Sequence, residues 1–71
     1  MIRAGQKLRD ERQRRGLTLS EISNATKIKV EFLLAIEKGE YGKLPSSSYA
    51  QGFVRNYAKF LDFEEEEILA L

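Results

Sequence analysis

The feature that most constrains this chain is a dense run of helix punctuation between residues 16 and 22. Gly16 is a natural left-handed stop for a helix, and Thr18-Leu19-Ser20-Glu21, close behind it, is a capping box. In that arrangement the Thr18 hydroxyl accepts from the Glu21 backbone N–H, and the Glu21 carboxylate accepts from the N–H of Thr18. Two donors that a helix start would otherwise leave unpaired are thereby satisfied. Leu17 before the cap and Ile22 four residues after it have the spacing of a hydrophobic staple. One helix must stop and a second must start within a few residues, which forces a tight helix-to-helix turn.

Similar signals divide the rest of the chain. A first helix is expected from about Ile2 to Arg15, anchored by Leu8, with Ala4 and Gly5 small enough for close approach by a neighbour. The second is short, 19–25, and the turn Thr26-Lys27 leads through Ile28 into a third, 30–38, closed by Gly39. A loop from Glu40 to Leu44 precedes Pro45, which cannot sit inside a helix. Ser46, Ser47 and Ser48 then offer caps for a fourth helix, 46–61. A last helix, 64–70, has its acids in the first turn, where the positive end of the helix dipole favours them. That role suits the run Glu64 to Glu67 better than calcium binding, since the run lacks the alternating ligands and central glycine of a calcium loop. Period-two alternation of apolar residues never persists, so the expected fold class is all-α: five helices in a single domain, 1–71.

Absent residue types exclude several functions. With no cysteine and no histidine among 71 residues, the chain has no disulfide framework, no thiolate or imidazole metal site and no Cys/His or Ser/His nucleophile pair. Enzyme activity, a cofactor and a metal are therefore not expected, and a reducing, cytoplasmic setting fits. Apolar runs are only a few residues long, against the roughly 20 needed to cross a bilayer. The net charge is +1, but it is unevenly spread. Residues 1 to 15 carry six basic and two acidic side chains, and residues 62 to 71 carry five acids and no base. The basic start reads as a solvated helix face or as a phosphate-binding patch.

From Leu17 to Gly39 the chain resembles the lambda-repressor-like helix-turn-helix family, in Leu17, Ile22, Ala25, Ile28, Leu33 and Ile36 as core positions and in the ending Glu37-Lys38-Gly39. The resemblance implies a salt bridge between Arg12 of the first helix and Glu37; a phosphate contact is the other reading of Arg12. It also implies that the third helix would enter the major groove of DNA. Bases are read there by side chains such as Arg, Asn and Gln. The base-facing positions here are Val30, Glu31, Phe32, Leu34 and Ala35, and Leu19 replaces the glutamine frequent at the start of the second helix. None of these makes a bidentate contact to guanine or adenine. Lys27, Lys29 and Lys38 can still hold a phosphate backbone weakly and without sequence preference, so a DNA-binding regulator of the Cro/C1 type remains the alternative function.

Within the fourth helix, the stretch Tyr49 to Leu61 contains four aromatic residues. At 100° per residue its apolar side chains cover about half the circumference, more than the ~100° stripe that a surface helix usually buries. Either the helix is central and buries the whole arc, or the side carrying Tyr49, Phe53, Tyr57 and Phe60 stays partly exposed, rimmed by Arg55, Asn56 and Lys59. Aromatic anchors ringed by polar groups are the pattern of protein-binding hot spots. Gly52 in the helix interior points to close approach by a neighbouring chain or, equally, by a packing partner inside the same domain.

Four stretches, Gly5 to Arg9, Arg15 to Leu19, Thr26 to Leu33 and Tyr49 to Ala58, carry a more specific likeness. Nearly end to end, the chain resembles the cytoplasmic N-terminal domains of the RodZ family of bacterial cell-shape proteins. That resemblance implies a protein-interaction adaptor at the inner face of the cell membrane, held there by a segment outside this chain. It also implies docking onto the actin-like filament protein MreB through an aromatic pair four residues apart, Phe53 and Tyr57.

Overall fold

The computed structural model describes residues 3–71, so the expected helix start at Ile2 lies outside the described residues. In order, the elements are α1 (Ala4–Arg14), α2 (Leu19–Thr26), α3 (Val30–Lys38), a 3-10 turn (Tyr41–Lys43), α4 (Ser47–Phe60) and α5 (Glu65–Leu69). Among the described residues there is no strand, and the expected five-helix fold is the one found. Helix ends differ from expectation by a residue or so. The 3-10 turn occupies part of the segment expected to be an irregular loop.

The stop and start signals act where they were read. Gly16 and Gly39 both take left-handed φ values, +70° and +72°. The Thr18 hydroxyl accepts from the Glu21 N–H at 3.1 Å, and the Glu21 carboxylate accepts from the Thr18 N–H at 3.0 Å. Ser46 is the N-cap of α4, its hydroxyl accepting from the Tyr49 N–H. Glu65, Glu66 and Glu67 occupy the first turn of α5. Two left-handed positions carry side chains: Lys27, which closes α2 at φ +63°, and Asp62, after α4, at φ +64°. Lys27 lets the chain reverse within the three residues that separate α2 from α3.

One core holds the helices together. Leu8 of α1, Ile22 of α2, Leu33 and Ile36 of α3, Val54, Tyr57 and Ala58 of α4, and Ile68 of α5 are all fully buried in it. α1 packs on α3, α5 on α4, and α2 contacts both α3 and α4. Gly5 sets the α1–α3 distance: a Cβ there would lie 1.8 Å from the Ile36 carbonyl oxygen. Two core expectations are corrected. Ala25 is exposed, because the inward face of α2 runs through Leu19, Ile22, Ser23 and Thr26 and Ala25 lies to one side of it, and Leu17 is only half-buried.

Candidate functional site

The site begins with what fixes the azimuth of α4. Arg12 donates through Nε to Glu37 Oε2 at 2.7 Å and through Nη2 to Oε1 at 3.0 Å, and through Nη1 to the Leu17 carbonyl at 2.9 Å. The Glu37 carboxylate is buried, and the Tyr57 hydroxyl donates to the same Oε2. This network ties α1, α3 and α4 to one carboxylate. Burial pushes the Tyr57 phenol well above the ordinary tyrosine range, and its bond to the Glu37 carboxylate pushes it the same way.

Tyr57 therefore faces inward, and the expectation that it stands partly exposed beside Phe53 is corrected: its exposure is 0%. The helical wheel left the phase of the apolar arc open, and a buried carboxylate needing a donor settles it. Rotating α4 to bury Tyr57 with Ala50, Val54, Ala58 and Leu61 leaves another pair four residues apart on the outside. Tyr49 is 55% exposed and Phe60 38%; Phe53 is half-buried, and its ring lies 5.7 Å from that of Tyr49. Phe53 also stacks on Phe32 of α3, centroids 5.8 Å apart at 20°, with the Lys29 ammonium 5.9 Å from the Phe32 ring. The aromatic face thus runs from α4 onto the start of α3, a continuation that no period within one helix could reveal.

The polar rim is uneven. Lys59 is exposed, whereas exposed Arg55 is drawn toward α5 by an ion pair with Glu65 at 2.5 Å. Asn56, Lys59 and Phe60 share a shallow hollow with Ala25 and Thr26 of α2. Of the two expected reasons for Gly52, a packing partner inside the domain is corrected: a Cβ there would meet nothing within 4 Å.

The face that would read DNA is composed differently. Val30 and Leu34, each 40% exposed, and exposed Glu31 point outward from α3. Phe32 turns to Phe53, and Ala35, expected on the outer face, is buried at 3%. Lys27, Lys29 and Lys38 are all exposed, but the first two flank the turn into α3 and Lys38 sits in its last turn. A nine-residue helix holds its ends about 13 Å apart, so the three amines do not converge.

Comparison with known proteins fits this geometry. The family model described as "Helix-turn-helix domain" matches residues 7–68. The chain belongs to the helix-turn-helix domain family. Within it, the domain is similar to "Cytoskeleton protein RodZ" of Streptococcus pneumoniae, with 32% identity over 65 residues, 92% of this chain and 24% of that protein. It is also similar to "Uncharacterized membrane protein YmfM" of Bacillus subtilis, with 29% identity over 52 residues, 73% of this chain and 18% of that protein. The RodZ likeness named from sequence stretches thus has an independent counterpart. The chain spans about a quarter or less of the length of these curated relatives. No solved structure gives a significant match. Among the described residues, no helix is long and apolar enough to cross a membrane.

Proposed function

We propose that this helix-turn-helix domain is a protein-interaction adaptor of the bacterial cell-shape machinery that docks on the actin-like filament protein MreB through the exposed face of α4. The observation that carries the reading is the outward aromatic stripe of Tyr49, Phe53 and Phe60. Partly exposed rings on a rigid helix are suited to filling pockets on a protein partner, with Arg55 and Lys59 at the rim. The accessible pair four residues apart is Tyr49 with Phe53, so these replace Phe53 with Tyr57 as the anchors. The family likeness to a cytoskeleton protein and to a membrane protein supports the same reading. Residues 1–71 act in it as a single domain on the cytoplasmic side, tethered to the membrane by chain outside this segment. The outer face of α3 weighs against sequence-specific DNA reading, because Val30, Glu31 and Leu34 offer no bidentate donor–acceptor pair to a purine.

The test is co-sedimentation with purified MreB filaments. Wild type should pellet with the filaments, and Tyr49→Ala and Phe53→Ala, shown to be folded by circular dichroism, should each weaken binding at least about tenfold. Undiminished binding by both variants removes α4 as the docking face.

A further inference from the structure

Gly52 is not explained by the fold of its own domain. It lies within α4 and needs no left-handed φ, and a Cβ there would meet nothing within 4 Å. Gly5 is the contrast, where a Cβ would collide with the backbone of α3. Glycine in a helix interior is less stable than alanine, because it loses more backbone freedom on folding. The chain gives up helix stability at a position where the fold would accept a methyl group. At 100° per residue Gly52 lies about 60° around α4 from Tyr49 and about 100° from Phe53, on the flank that also carries Asn56 and Lys59, so bare backbone forms a notch beside the exposed aromatic ridge.

Charge indicates what the notch receives. Lys29 stands on the α3 side of the stripe, over Phe32. Lys59 stands on the other flank of α4, two turns beyond Gly52 and beside Asn56 and Phe60. Among the described residues neither lysine forms an ion pair, whereas Arg55 is held by Glu65. We infer that Gly52 is a contact notch admitting an aliphatic side chain from an acidic segment of the protein partner, whose carboxylates meet Lys29 and Lys59. The inference rests on the filament-docking reading above. A nucleic-acid occupant fits less well, because Glu31 is exposed near Lys29 and the only arginine of α4 is already paired.

The experiment measures binding to purified MreB filaments and thermal unfolding for wild type, Gly52→Ala, Lys29→Glu and Lys59→Glu. Gly52→Ala should raise Tm by about 4 °C while weakening filament binding about tenfold or more. Each Lys→Glu variant should weaken binding several-fold and reduce its sensitivity to salt. If wild type binds and Gly52→Ala binds equally well, or if its Tm falls, the notch is overturned and the docking reading stands. Unchanged or tighter binding by the Lys→Glu variants overturns the acidic occupant. Absence of wild-type binding overturns both readings. Capture of a single-stranded oligonucleotide in place of the filament, lost in Lys29→Glu, assigns the face to nucleic acid and overturns the inference as well.

Discussion

Replacing Arg12 by alanine should bring the domain close to unfolding. The Arg12 side chain is 12% exposed and Glu37 2%, so the pair is largely desolvated. Its two parallel N–H···O bonds are the geometry in which a carboxylate and a guanidinium hold each other most strongly. Truncation leaves the Glu37 carboxylate with the Tyr57 hydroxyl as its donor and takes a donor from the Leu17 carbonyl. Removing one member of a buried pair costs about 3–5 kcal/mol, because an uncompensated charge stays behind. A 71-residue domain has only about 4–11 kcal/mol in total. Urea unfolding followed at 222 nm should show that loss with an unchanged m-value, and Tm should fall by about 15–30 °C. The combination Arg12→Met, Glu37→Leu, Tyr57→Phe should recover most of the stability, since it removes the charge together with its partners. A loss under about 1 kcal/mol for Arg12→Ala is what an exposed ion pair gives and would refute the argument, as would a triple variant no better than the single.

Two further outcomes follow from local geometry. Gly5→Ala should destabilise by about 3 kcal/mol or more by urea titration, because the clash is with the Ile36 backbone and not with a movable side chain. Acid unfolding should reveal Glu11, whose carboxyl is lowered to about 2 by its hydrogen bonds to Arg14 and then Arg15. A carboxylate depressed on folding contributes stability that is full above its unfolded value, near 4.5, and is lost as pH falls through its folded value. Stability should therefore drop between about pH 4.5 and 2, and Glu11→Gln should flatten that part of the profile; an identical profile in the variant contradicts the assignment.

What could be read before the structure was local. The capping box at Thr18 and Glu21, the left-handed stops at Gly16 and Gly39 and the cap at Ser46 are written in adjacent residues, and each is present. Lys27 and Asp62 take left-handed turns without the glycine that would announce them, so those turns left no comparable signal. The phase of α4 was harder to read. Its apolar arc is wide enough that either Tyr57 or Tyr49 could face outward, and the choice falls to Glu37, twenty residues away in sequence, which needs a buried donor. Ala25 and Ala35 exchanged their expected environments because alanine is small enough to be accepted on either side of a helix. The aromatic continuity of Phe53 with Phe32 depends on packing between α3 and α4 and has no signature within either segment.

Docking through α4 in place of DNA reading by α3, as proposed above, is tested most directly by mapping the contact face. Backbone amide shifts of the labelled domain can be followed on titration with unpolymerised MreB and, separately, with duplex DNA at physiological salt. MreB should perturb Tyr49, Gly52, Phe53, Asn56 and Phe60, with Lys29 and Phe32 at the edge, and DNA should produce at most weak, sequence-independent changes. Perturbations centred on Val30, Glu31 and Leu34, or a DNA preference above ~1,000-fold for one sequence, would contradict it.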